Sequence, residues 1–228
     1  MLQAIKALLL KLPQNIAIFC GKRKNMTSKT IVESVRARIE EHDQGWCFTP
    51  KHFLDLESDT GVRSTLSRLE KMKVIRRLAQ GLYDYPRQHP VLGLLPPKPE
   101  EVIKAIAEKN GIRTQAAGAY AANMMGLSEQ VPGQIIFLTN GPSKKLKIGK
   151  QEIVLRTTTE KNMYAADSDV GLVIQAYKNL GKDNIDETVI AKTKKFLSST
   201  NQETLIHYLK YAPQWIRTLI LTMMGIKK

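Results

Sequence analysis

The sequence predicts an α+β chain on three observations. Apolar residues recur at helical spacing over 31–39, 62–69 and 99–110, short apolar and basic runs flank Gly turns near 81 and 149, and the pattern returns to helix from Asp167 onward. A length of 228 residues suits one large domain or two small ones and can bury a core without covalent staples. With 43% hydrophobic and 25% charged residues, collagen-like and wholly disordered classes are excluded.

Taken in order, the opening MLQAIKALLLKLPQ has a short apolar run, but Lys11 and Pro13 split it and no small-x-small cleavage site follows, so it fails as a secretory leader. Residues 1–25 are expected to be a dispensable extension. Leu2, Ile5, Leu8, Leu9 and Leu12 with Lys6 and Lys11 also fit an amphipathic interfacial helix or a packed one. The first domain helix is expected in MTSKTIVESVRARIEEH, capped by Ser28 and burying Ile31, Val32, Val35 and Ile39. Thr49-Pro50 then opens a second short helix, about 50–56. Ser58 or Asp59 caps a third, in which Val62, Leu66 and Leu69 face inward while Ser64, Ser67, Arg68 and Lys71 face out. KVIRRLA and LYDYP, joined by Gln80-Gly81, read as a hairpin. Helix, helix, helix, hairpin is the order of a winged helix-turn-helix domain, placed at 27–90.

Pro90, Pro96, Pro97 and Pro99 disfavour a helix or central strand, so 91–97 is read as a linker and 98–228 as a second, mixed domain. There PEEVIKAIAEKNG is a helix with Pro99 and two acids at its start and Gly111 past its end. TQAAGAYAANMMGLS reads as an alanine-rich helix. QIIFLTNG, KKLKIG and QEIVLRTTT read as a small antiparallel meander, followed by three or four amphipathic helices that end near Met224.

Thirty-five Lys and Arg against twenty-one Asp and Glu leave a net charge of +14, which favours a polyanionic partner, nucleic acid before membrane. The excess divides as +7 in residues 1–96 and +7 in 97–228, but Thr60 to Gln80 holds six basic residues opposed only by Glu70. A helix fits the major groove, where its outward Ser, Arg and Lys reach base edges while neighbouring cations neutralise phosphates. The expected duplex-DNA contacts are therefore Arg63, Ser64, Thr65, Ser67, Arg68 and Lys71 on the helix, and Arg76, Arg77, Gln80 and Tyr83 on the wing. Lys144, Lys145, Lys147, Lys150 and Arg156 form a secondary basic surface in the meander region.

No catalytic constellation is apparent. Gly149-Lys150 lacks the rest of a phosphate-binding loop, and no Gly-x-Gly-x-x-Gly follows a strand. Cys47 and His52 suit a packed thiol and a surface imidazole better than a dyad, and adjacent acids such as Glu100-Glu101 and Asp186-Glu187 answer helix dipoles. Two cysteines, Cys20 and Cys47, with no metal-ligand spacing suit a reducing cytosol. Neither metal nor cofactor is expected, and no stretch approaches the ~20 apolar residues of a membrane span.

SRLEKMKVIRRLAQGLYDYP together with TQAAGAYAANMMGLSEQVPGQIIFLTNGPSKKLKIG resembles the AbiEi family of antitoxins from bacterial type IV toxin-antitoxin systems, in the branch with a short N-terminal winged helix. The resemblance covers about 27–200. Its most specific pieces are the wing ending Gly81-Leu82-Tyr83, the GLSEQVP turn at 126–132, and the strand-turn-strand at 136–149 with Thr139, Gly141 and Lys144. Ala116-Ala117-Gly118 stands where the family commonly has Pro-x-Gly, and Lys144 or Lys145 where it usually has Arg. The absence of a catalytic constellation argues against an enzyme, and the resemblance implies a cytoplasmic autorepressor that binds an inverted-repeat operator in duplex DNA. It further implies that the protein counteracts a nucleotidyltransferase-like toxin without a stable complex. Two alternatives stay open on the residues alone: a protein-interaction module acting through the C-terminal domain, and an RNA-binding protein.

Overall fold

The chain is α+β, with small sheets followed by C-terminal helices. The computed structural model describes residues 30–56 and 58–226, so the expectations for residues 1–25 and for Ser28 fall outside the described residues. Helix α1 (Ile31–Glu40) is capped by Thr30, not Ser28. Thr30-x-x-Glu33 closes a capping box in which Thr30 Oγ1 accepts from Glu33 N at 3.3 Å and Glu33 Oε2 accepts from Thr30 N at 2.9 Å.

Strand β1 (Cys47–Phe48) leads into a single 3-10 turn at Pro50–Phe53, shorter than the helix expected over 50–56. The physical reason lies in α1. Arg38 donates to His52 O at 2.8 Å, occupying the carbonyl that a continuing α-helix would use, and makes two 2.5 Å bonds to the Asp55 carboxylate. Helix α2 (Asp59–Lys71) then starts at the Ser58 cap, and β2 (Arg76–Ala79) and β3 (Leu82–Asp84) form the expected hairpin about Gln80-Gly81. Gly81 sits at φ 66°, where the tight turn disfavours a side chain. The sheet order is β1-β3-β2, and Val35, Ile39, Phe48, Phe53, Leu66 and Leu69 pack beneath it.

Within the proline-rich segment, β4 (Gln88–His89) and β5 (Gly93–Leu94) make a small hairpin, so part of 91–97 is paired rather than plain linker. Helix α3 (Pro99–Asn110) runs as expected. The alanine-rich stretch divides: Thr114–Ala117 is strand β6 and only Gly118–Met124 is helix, α4. Helix propensity is overridden by pairing, because Thr114 to Ala117 lie antiparallel to Thr139 to Ile136.

The strands β7 (Gln134–Thr139), β8 (Lys144–Ile148) and β9 (Gln151–Thr157) do not form a meander. The sheet order is β6-β7-β9-β8, with β9 inserted parallel to β7 and antiparallel to β8. Ile153, Val154 and Leu155 are consecutive buried residues, the pattern of a central strand covered on both faces, whereas the lysines of β8 suit an edge. The crossover at 140–143 is tied over the end of β9. Thr157 Oγ1 donates to Gly141 O at 2.7 Å, and Ser143 Oγ accepts from Thr157 N at 2.9 Å.

After a short turn of helix, α5 (Glu160–Met163), helices α6 (Asp169–Leu180), α7 (Glu187–Phe196), α8 (Gln202–Leu209) and α9 (Gln214–Met223) bury Val173, Tyr177, Leu197, Leu205, Leu209 and Ile216 in one core. A separate core joins the two halves: Cys47 and Leu82 pack with Val102, Ile103 and Ile106 of α3 and with Phe137, Leu146, Ile153 and Leu155 of the sheet. Polar contacts reinforce the junction. His52 Nε2 lies 2.8 Å from Glu108 Oε2, and Lys51 Nζ donates to Lys109 O, an end carbonyl of α3, at 2.5 Å. No helix among the described residues is long and apolar enough to cross a membrane.

Candidate nucleic-acid interface

Helix α2 is held at its start by Ser58 Oγ, which accepts from Gly61 N at 3.1 Å, and carries Asp59 in its first turn and Arg68 and Lys71 in its last, matching the dipole. Val62, Thr65, Leu66 and Leu69 are buried. Spacing of three and four residues places Ser64, Ser67, Arg68 and Lys71 along the opposite face, all exposed, with Arg63 beside them. At thirteen residues the helix is about 20 Å long, enough to lie in a major groove. Arg63 is 64% exposed and bonded 2.9 Å to Asp59 one turn earlier. Among the described residues no carboxylate pairs with Arg68, Lys71 or Arg77.

Three of the expected contacts are corrected by their surroundings. Thr65 is 3% exposed because it falls three residues after Val62, on the core side. Tyr83 is buried and stacks on Phe48, ring centroids 6.0 Å apart, so its ring packs the β2–β3 hairpin. Arg76 turns inward: Nε and Nη2 reach the two Asp84 carboxylate oxygens at 3.1 and 2.6 Å, and Nη2 also donates to Leu95 O at 3.0 Å. The neighbouring Arg77 and the tip residue Gln80 are exposed.

Beyond the β2–β3 hairpin a groove of about 590 Å³ opens between the halves of the molecule, bordered by Arg63 of α2, Arg77 of β2, the Gln80-Gly81 turn, Lys109 of α3 and Lys144 of β8, with no carboxylate in its wall among the described residues. A Cβ at Gly81 would lie 3.4 Å from Lys109 Nζ, so the Lys109 ammonium stands at the hairpin tip. The secondary basic surface thus splits. Lys144 shares the face of β8 that carries buried Leu146 and borders this groove, whereas Lys145 and Lys147 occupy the opposite face, Lys145 lying 3.9 Å from Glu152. Arg156 is exposed on β9 and alternates to the same face as Val154, the partner of Lys145; Lys150 sits in the β8–β9 turn. Lys109 escaped the sequence reading because a lysine in a last helical turn reads as a response to the dipole. Only the packing of α3 beside the β2–β3 hairpin reveals its position.

The remaining chemistry-bearing groups are structural. Cys47 is buried, and burial first and the Asp84 charge second push its thiol up to about 12, far from a thiolate nucleophile. His52 is not a surface imidazole; its Nδ1 accepts from Thr49 N at 3.1 Å while Nε2 faces Glu108. Asp186 caps α7, accepting from Val189 N at 2.8 Å. A cleft of about 580 Å³ between α3, β6 and α6 is acidic, with Glu100, Glu101, Glu108, Asp167 and Asp169 in its wall. Tyr120 donates to Glu100 Oε1 there at 2.5 Å, and burial raises the Asp167 carboxyl above its ordinary range. Among the described residues no group of three His, Cys, Asp or Glu is placed to hold a metal ion.

Fold and surface together define an α+β protein with a basic face assembled from both halves of the chain. Residues 34–205 match the model of DUF6088, described as a family of unknown function, and the chain belongs to that family. Among solved structures, that of the RV2827C protein from Mycobacterium tuberculosis is similar at TM-score 0.43 and 14% identity, covering 85% of this chain and 76% of that one. No curated protein matches the chain.

Proposed function

We propose that the protein is a cytoplasmic, sequence-specific duplex-DNA-binding protein whose N-terminal part acts as a winged helix-turn-helix module. α2 enters the major groove and the β2–β3 hairpin serves as the wing. The observation that carries this reading is the solvent-exposed row Ser64, Ser67, Arg68 and Lys71, backed by Arg63 and Arg77 and left uncovered by the described residues. Phosphates are attracted to the cations, while serine hydroxyls and the Arg68 fork offer donors to base edges. The resemblance to AbiEi antitoxins extends the proposal: the bound DNA is an inverted repeat in the protein's own promoter, and the C-terminal part opposes a nucleotidyltransferase-like toxin without forming a stable complex.

Titration of labelled operator and scrambled duplexes at two salt concentrations tests this. Arg68→Ala is expected to cost ~1–3 kcal/mol on the operator and to relax sequence preference, whereas Arg77→Ala weakens both duplexes alike. Equal losses on both duplexes for both variants would remove the groove-reading role. A second reading, a protein-interaction module, draws on an apolar depression of about 710 Å³ beside Trp215 and Leu219 of α9. It requires a tight protein complex and little dependence on salt, the opposite of counterion release from DNA.

A further inference from the structure

We infer that the C-terminal half binds the same duplex directly, with Lys109 and Lys144 holding a phosphodiester segment in the groove behind the wing. The inference rests on the DNA-binding reading and extends its footprint. Four cations from four different elements, Arg63, Arg77, Lys109 and Lys144, converge on one opening of about 590 Å³ whose wall contains no carboxylate among the described residues. Among the described residues, Arg63 is the one of the four in a salt bridge, with Asp59 on its own helix. Gathering like charges is unfavourable unless an anion lies among them, and the relief is greatest for a polyanion that touches several at once.

Edge protection of the sheet does not account for the arrangement. Lysines blunt an exposed strand edge, and Lys145 and Lys147 on the far face of β8 already serve that purpose. Lys144 instead lies on the groove side, next to Leu146. Lys109 likewise reaches the wing tip rather than open solvent alone, its Nζ standing 3.4 Å from where a Gly81 Cβ would be. The β2–β3 hairpin and α3 are held together by the core that Cys47, Leu82 and Ile103 share, so the elements that carry these cations border one opening. Backbone contacts of this kind add affinity without sequence choice.

The test uses the full chain and two 30-base-pair duplexes, operator and scrambled, titrated by fluorescence anisotropy between 50 and 200 mM salt. Lys109→Gln with Lys144→Gln is expected to weaken both duplexes by the same factor. It should also reduce the salt slope by about 1.8, which narrows the affinity change across that salt range about 12-fold. Lys145→Gln with Lys147→Gln is the control on the opposite face and is expected to bind as the parent does. Thermal unfolding confirms that each variant is folded. If the groove pair binds both duplexes with the parental slope while Arg77→Ala is weakened, the inference is overturned and the DNA-binding reading stands. Should Arg68→Ala, Arg77→Ala and the groove pair all bind as the parent does, the reading itself fails. A loss confined to structured RNA, with duplex DNA unaffected, also overturns the inference.

Discussion

Replacing Arg76 and Arg77 by alanine, one at a time, is expected to separate folding from binding in two adjacent residues of one strand. The Asp84 side chain is 1% exposed, and its carboxylate is met by Arg76 Nε at 3.1 Å and Nη2 at 2.6 Å. Arg76→Ala would strand that buried charge and also release Leu95 O. Breaking one partner of a buried pair costs roughly 3–5 kcal/mol, and the 31% exposure of the Arg76 side chain places this case near the lower end, about 3 kcal/mol. For a chain of this size each kcal/mol moves Tm by roughly 2–4 °C, so the expected fall is about 6–12 °C. Arg77 has no carboxylate partner among the described residues and is exposed, so its removal is expected to stay within about 0.5 kcal/mol while weakening DNA binding. Far-UV circular dichroism melts at neutral pH, with anisotropy titrations on the same preparations, read both quantities. The double variant Arg76→Met with Asp84→Leu removes both charges and is expected to recover most of the lost stability. If Arg76→Ala melts with the parent, the buried pair does not hold the wing and the reasoning is refuted.

Gly171→Ala places a Cβ 1.9 Å from the Ala165 carbonyl oxygen, a backbone obstacle that cannot swing away; a loss of about 3 kcal/mol or more is expected, and a variant that melts like the parent would contradict the packing of α6. Lys73 follows α2 at φ 60°, with Val74 N bonded to Leu69 O and Lys73 N to Glu70 O, so Lys73→Gly is expected to stabilise by about 1 kcal/mol; a lower urea midpoint would refute this. The Arg38 guanidinium holds the Asp55 carboxyl down to about 2. A depressed acid stabilises fully above its unfolded value of about 3.9 and loses that contribution as pH falls through about 2. Asp55→Asn is therefore expected to be less stable than the parent at pH 7, with the gap closing near pH 2, as urea unfolding at both pH values would show.

Local chemistry was legible in the order of residues wherever a few neighbours decide the outcome. Ser58 capping α2, the hairpin at Gln80-Gly81, the start of α3 at Pro99 and the outward row Ser64, Ser67, Arg68 and Lys71 follow from side-chain oxygen placement, turn geometry and helical spacing. The edge and centre of the larger sheet were misassigned: a meander puts KKLKI between its two neighbours, whereas the strand carrying IVL takes the central place and KKLKI the edge, since pairing at a distance depends on which face finds a core. What only the tertiary structure decided is the fate of individual polar groups. Arg76 and Arg77 are identical in sequence terms, yet a buried Asp84 captures one and leaves the other free; Thr65 and Tyr83 are drawn into the core by Val62, Leu66 and Phe48. Lys109 and Lys144, thirty-five positions apart, meet Arg63 and Arg77 only because the shared apolar core presses α3 and β8 against the wing. Contacts between distant segments are set by burial of whole faces, and no local pattern encodes which charge will stand at the rim.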